Sequence, residues 1–200
     1  MIKNIIFDLG NVLIEFNPYS FVEKNIPEED RDEVFHMIFQ RKEWLEWDRG
    51  TLSYDEVVKF FATRFPQYEK QIRNFFENKI IDCLKPIEEN IKIVEILKKR
   101  DYKLYILSNF HYPAFKNISE KWEFFKLFDG QVISSHANLL KPEKEIYEEI
   151  LGKYKLVTKE TLFIDDSLEN IEAGKKFGLH TIHLDNYKEL KKKLEEISLI

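Results

Sequence analysis

The sequence predicts an α/β fold, a doubly wound parallel sheet carrying a helical insert after its first strand, and three observations carry that prediction. Ile5-Ile6-Phe7 is a continuous apolar run with no polar alternation, as expected for a strand buried on both faces. From Pro86 onward, short apolar runs alternate with amphipathic segments at close spacing, as parallel strands joined by helices do. Residues 15–85 lack such runs, and their apolar residues recur at helical spacing instead. The expected division is an α/β core of residues 1–14 and 86–200 and a helical insert of residues 15–85.

Taken in order, the first strand ends at Asp8, and Gly10 follows to let the backbone turn. In the insert, Asn17-Pro18 and Pro27-Glu28-Glu29-Asp30 read as helix starts, the latter with acids suited to the helix dipole. Val34, Phe35, Ile38 and Phe39 form one apolar face, and a helix through Trp44, Leu45 and Trp47 is expected to stop at Gly50. Ser53-Tyr54-Asp55-Glu56 is a capping box that opens the next helix. Val57, Phe60, Phe61 and Phe65 form its stripe, and Ile72, Phe75, Phe76 and Ile80 form another. Beyond the insert, helices are predicted over 88–100, 112–128, 142–151, 168–177 and 187–197. Strands are predicted over 102–107, 132–133, 161–164 and 181–184.

The chain has 200 residues, 44% of them hydrophobic, with 17 Phe, enough apolar mass for a substantial core. Its net charge of -5 and the scarcity of basic runs leave no electrostatic footprint for nucleic acid. The single cysteine, Cys83, excludes an intramolecular disulfide and has no local base to make it a nucleophile. Asp8 and Glu15 interrupt the start of the chain too much for a signal peptide, and no apolar run approaches the ~20 residues of a membrane span. A cytoplasmic protein with no membrane partner is the expectation.

The chemistry lies where the predicted strands end. Asp8 closes the first strand, Ser108-Asn109 closes Leu104 to Leu107, and Asp165-Asp166 closes Leu162 to Ile164. Lys141-Pro142 opens a helix between the last two. Each feature alone has a structural reading: an Asx-turn or helix cap for the aspartates, a turn for Ser108-Asn109, a solvated side chain for Lys141. If the strands are parallel neighbours, however, all these groups meet at one sheet edge, where ligands of open α/β sheets bind. Crowded carboxylates repel, so such a site calls for a hard cation, Mg²⁺ first. A carboxylate there can attack phosphorus, provided charge on the phosphoryl oxygens is neutralised. Ser108 and Asn109 could grip a phosphate oxygen while Lys141 supplies a second positive charge.

In these stretches the chain resembles the haloacid dehalogenase superfamily. Asp8-Leu9-Gly10-Asn11-Val12 is similar to its first motif, Leu107-Ser108-Asn109 to the second and Lys141-Pro142 to the third. Ile164-Asp165-Asp166-Ser167-Leu168-Glu169-Asn170-Ile171 is similar to the fourth. The resemblance implies a Rossmann-like core and a helical cap made by the insert. It implies Asp8 as nucleophile, Asp8, Asp166 and the Gly10 carbonyl on Mg²⁺, and Asp165 and Asn170 in support of the metal or Lys141. The texture is closest to the branch of α-glucose-1-phosphate phosphatases and epoxide hydrolase N-terminal phosphatase domains. Trp47 and Arg49-Gly50 fall in the cap, where substrate contacts are expected.

One position departs from that pattern. Most phosphatases of the superfamily carry a second aspartate two residues after the nucleophile, which protonates the leaving group and then activates water. Here that residue is Gly10, which can do neither. A less basic leaving oxygen is then favoured, as in a sugar 1-phosphate, and His111 is one substitute for the missing acid. The expected function is Mg²⁺-dependent hydrolysis of a small-molecule phosphate ester through an aspartyl-phosphate. The alternatives are a 2-haloacid dehalogenase and a catalytically impaired module that binds or accepts phosphate.

Overall fold

The computed structural model describes residues 1–200. The first apolar run forms β1 (Asn4–Phe7), with Ile5, Ile6 and Phe7 fully buried. A strand apolar on both faces needs cover on both sides, and β1 has it at the centre of a parallel sheet. A short strand, β2 (Ile14–Phe16), follows and pairs antiparallel with β3 (Leu84–Pro86). β4 (Lys103–Ser108) and β6 (Thr161–Asp165) flank β1, while β5 (Gly130–Ile133) and β7 (His180–His183) form the edges. The order is β5-β4-β1-β6-β7.

Alternate residues of the central strands feed two separate cores, as the two-residue repeat of a strand requires. Ile5, Phe7, Leu104, Ile106, Leu162 and Ile164 belong to a cluster of 44 buried residues. Ile6, Tyr105, Leu107 and Phe163 belong to a cluster of 12 on the other face. The larger cluster is covered by α6 (Glu88–Lys99), α7 (Tyr112–Lys121) and α11 (Leu190–Glu196), the smaller by α9 (Lys144–Lys153) and α10 (Leu168–Lys176). A one-turn helix, α8 (Ser134–Ala137), follows β5.

The chain between β2 and β3 folds into α1 (Tyr19–Asn25), α2 (Arg31–Phe39), α3 (Lys42–Arg49), α4 (Tyr54–Arg64) and α5 (Glu69–Asn74). The capping box at Ser53 and Glu56 is formed in both directions, and Gly50 ends α3 with φ 82°. Phe21, Val34, Trp44, Phe61 and Phe75 from these helices join the 44-residue cluster, so the insert is continuous with one face of the sheet. The ribbon of β2 and β3 and the one-turn α8 are elements that periodicity does not reveal. Each strand has three residues, and Glu15, Lys85 and Pro86 interrupt their apolar pattern. The helix expected to begin at Pro142 starts at Lys144 instead, after a cis Lys141–Pro142 peptide bond.

Candidate active site

Sheet register builds the site. Phe7 is level with Ile106 of β4 and with Ile164 of β6, so Asp8 emerges beside Asp165, with Ser108 on the strand opposite. The Asp8 amide donates to the Ile164 carbonyl at 2.9 Å, which holds the first residue past β1 in the sheet plane. Two carboxylates on one rung, both buried, would repel without a cation between them. Lys141 is that cation. Its Nζ lies 2.8 Å from Asp8 Oδ1 and 2.6 Å from Asp165 Oδ2.

The surroundings hold this trio in place. Asp165 Oδ1 accepts from Asn170 Nδ2 and from the Ser167 amide, both at 2.9 Å. Tyr147 OH donates to the Asn170 carbonyl at 2.9 Å. The Asn109 amide is engaged at both ends by the Lys141 backbone, donating to its carbonyl at 3.0 Å and accepting from its N–H at 2.9 Å. Asn109 thereby ties the end of β4 to the segment that carries Lys141. Asn11, with φ 52°, donates to Asp166 Oδ2 at 3.0 Å.

Asp8, Asp165 and Asp166 each bring one carboxylate oxygen within 4.8 Å of the others. Three carboxylates against one ammonium leave a formal charge of -2, which one divalent cation balances. Burial pushes the Asp8 carboxyl up to about 7, with Asp165 and Asp166 adding to the rise and Lys141 opposing it. Asp166 is also raised, chiefly by burial. Burial alone would lower Lys141, but the Asp165 and Asp8 carboxylates outweigh it and hold the ammonium above its ordinary value. The donor set is all oxygen, half enclosed and short of positive charge, so it fits a hard cation such as Mg²⁺.

Asp8 Oδ1 is taken by Lys141. Asp8 Oδ2 is on the side of Gly10, where an added Cβ would sit 3.9 Å from it. Gly10 and Asn109 line a cavity of about 90 Å³. Its other lining residues are Ile14, Phe16, Trp44, Ile80, Leu84 and Phe110, together with His111 and Asp48. The insert therefore supplies much of the wall that faces the strand ends.

His111, one substitute for the missing acid, is buried and stacked on Trp47 with centroids 3.7 Å apart and planes 9° from parallel. Burial pushes its imidazole down to about 3, so it is neutral near pH 7. Trp47 thus contacts His111. The Arg49 guanidinium forms two hydrogen bonds with Glu143 of the core, at 2.7 and 2.5 Å. The residue that motif spacing misses is Asp48. It is buried, and burial pushes its carboxyl up to about 8 despite hydrogen bonds from the His111 backbone and the Trp44 side chain. A usable signal exists in the sequence: Trp44, Trp47 and Asp48, at i, i+3 and i+4, share one face of α3.

A family model described as haloacid dehalogenase-like hydrolase matches residues 2–178. A sesquiterpene phosphatase from Aspergillus oryzae is 28% identical over 91% of this chain and 89% of its own length. A D-ribitol-5-phosphate phosphatase from Bacteroides thetaiotaomicron is 27% identical over 93% of each chain. Among solved structures, an alanine mutant of a HAD family enzyme from Bacteroides thetaiotaomicron, in complex with magnesium and inorganic phosphate, has a TM-score of 0.75 at 25% identity. That match covers 92% of this chain and 94% of the other.

Proposed function

The chain belongs to the haloacid dehalogenase-like hydrolases and is an enzyme of the phosphoric monoester hydrolase type; on that premise we propose that it is a Mg²⁺-dependent phosphatase of small organic esters, with Asp8 as nucleophile. The observation that carries the reading is the meeting of Asp8, Lys141, Asp165 and Asp166 at adjacent strand ends. Asp8, Asp166 and the Gly10 carbonyl would hold Mg²⁺, which when bound neutralises charge on the phosphoryl oxygens. Lys141 fixes one oxygen of Asp8 and leaves Oδ2 to attack phosphorus, forming an aspartyl-phosphate that water then hydrolyses. Ser108 and Asn109 border the place of the phosphate. Asp165 and Asn170 act through Lys141, by holding the ammonium against Asp8. Residues 15–85 act as a cap that closes the cavity over the strand ends, and the protein works in the cytoplasm.

The cavity wall bears on the ester. Six aromatic or aliphatic side chains line it beside few polar ones, so an alcohol with apolar surface fits better than a polyhydroxylated chain. A relative named sesquiterpene phosphatase is in keeping with that. A sugar 1-phosphate could stack its C–H faces on Trp44 but would leave most of its hydroxyls without partners. The test is phosphate release from a panel of aryl, prenyl and sugar phosphates, with Mg²⁺ or EDTA. We expect turnover only with Mg²⁺, apolar esters ahead of hexose 6-phosphates, and none above background for Asp8→Asn. Full activity in EDTA, or chloride release from a 2-haloacid without added metal, would transfer the assignment to dehalogenation.

A further inference from the structure

We propose that Asp48, delivered by the helical insert, is the general acid and base of this site, acting from the lining of the cavity in place of a carboxyl at position 10. The proposal rests on the phosphatase reading above and deepens it.

Geometry comes first. Asp48 lies at the end of α3 and lines the same cavity as Gly10 and Asn109, the residues that frame Asp8 and the end of β4. An ester whose phosphorus faces Asp8 Oδ2 must extend its leaving oxygen away from the strand ends, into that cavity. Asp48 and His111 are the titratable side chains on the wall there. His111 is stacked flat against Trp47, and burial keeps it neutral near pH 7, so it is not the imidazolium acid that the step needs.

The setting of Asp48 suits the task. Its neighbours are the apolar faces of the cavity, and it sits in the last turn of a helix, where the dipole disfavours an anion. Both effects keep the carboxyl protonated near neutral pH, as a general acid requires. Its backbone is anchored to the core, since Ser134 Oγ donates to the Asp48 carbonyl while accepting from the Phe110 amide. The carboxyl therefore reaches the site from a fixed point even though it belongs to the insert.

The step balances. As Asp8 Oδ2 bonds to phosphorus, the P–O bond to the alcohol breaks, and the leaving oxygen takes the Asp48 proton. This yields the free alcohol, phospho-Asp8 and an Asp48 carboxylate. In the second half, a water oxygen bonds to phosphorus as its proton passes to Asp48 and the bond to Asp8 breaks. Phosphate leaves, and both aspartates return to their starting states.

The experiment compares Asp48→Asn with the wild type, both loaded with Mg²⁺, on p-nitrophenyl phosphate and benzyl phosphate. Nitrophenolate leaves without a proton, whereas benzyl alkoxide does not. In the variant we expect kcat/KM to fall by about 10²–10⁴-fold for benzyl phosphate and far less for p-nitrophenyl phosphate. The aryl ester should show a burst of nitrophenol followed by slow phosphate release, because phospho-Asp8 then waits for an unassisted water. The ratio of kcat/KM for two substrates on one sample is independent of the fraction folded, so a structural loss cannot mimic this result. Equal losses on both esters without a burst would overturn the role of Asp48. No phosphate release by the wild type, or full release by Asp8→Asn, would overturn the phosphatase reading itself, and this proposal with it.

Discussion

Lys141 is the residue on which the electrostatics of the site turn. Its ammonium is buried between two carboxylates and meets both at hydrogen-bond distance. Replacing it by Met keeps the volume and leaves Asp8 and Asp165 facing each other without a counter-ion. Breaking a buried charge network in this way typically costs about 3–5 kcal/mol. Lys141→Met should therefore lower the unfolding free energy of the metal-free protein, measured by denaturant titration, by an amount in that range. Adding Asp165→Asn should recover part of the loss, since it removes one of the two stranded charges. Equal stability of the single and double variants would show that repulsion between Asp8 and Asp165 is not what Lys141 relieves. Gly10 illustrates the opposite case, a position where absence carries the information. Its lack of a side chain is plain in the sequence, and the next heavy atom to an added Cβ is 3.9 Å away, so steric need does not explain it.

At the scale of elements, the turn after α3 joins the insert to the core. Gly50 has φ 82°, and an added Cβ would come 2.7 Å from the Ser135 carbonyl. Arg49 reaches Glu143, and Asn138 Nδ2 donates to the Arg49 carbonyl at 3.1 Å. Gly50→Ala must strain the left-handed turn and push α3 away from α8. We expect it to cost about 1–3 kcal/mol by chemical denaturation and to reduce turnover beyond what the unfolded fraction explains, because Asp48 moves with the turn. Wild-type turnover per folded molecule would contradict the link between this turn and the site. The same segment shows what sequence could and could not disclose. The strands of the sheet were legible because Ile5 to Phe7, Leu104 to Leu107 and Leu162 to Ile164 are unbroken apolar runs, each ending at a polar residue. Their register then placed Asp8 beside Asp165 as expected for parallel neighbours. The capping box at Ser53 was legible because its signal is local. Asp48 was legible only in part: its place on the Trp44 and Trp47 face of α3 is in the sequence, but what that face packs against is not. Its burial involves His111, distant in sequence, whose backbone hydrogen-bonds the Asp48 carboxyl.

Over the whole molecule, these buried groups set how stability depends on pH. The folded protein holds Asp8 at about 7 and Asp48 at about 8, both far above the unfolded value near 3.8. Between roughly pH 5 and 7 the folded state thus keeps up to two carboxyl protons that the unfolded chain has released. His111 opposes this, because its folded value of about 3 lies below the unfolded 6.5, so the unfolded imidazole gains about one proton as pH falls through that window. The difference leaves the folded state about one proton ahead. Stability of the metal-free protein should then fall as pH rises from 5 to 7, at about 1.4 kcal/mol per pH unit, and level off above about pH 9 once both carboxyls are ionised. Toward lower pH the trend reverses. Glu143, held below its usual value by the hydrogen bond from Arg49, loses its contribution as pH falls through its folded value. Asp48→Asn should flatten the fall between pH 5 and 7, because it removes one of the two retained protons and leaves His111 to cancel the other. Mg²⁺ should invert the picture at Asp8. Metal binding requires the carboxylate, so it competes with the proton at pH 6 and not at pH 8. At a fixed Mg²⁺ concentration, the rise in Tm over the EDTA-treated protein should be larger at pH 8 than at pH 6. An equal rise at both values would mean that the metal does not displace a proton from Asp8, and that the carboxylates at the strand ends are ionised before it arrives.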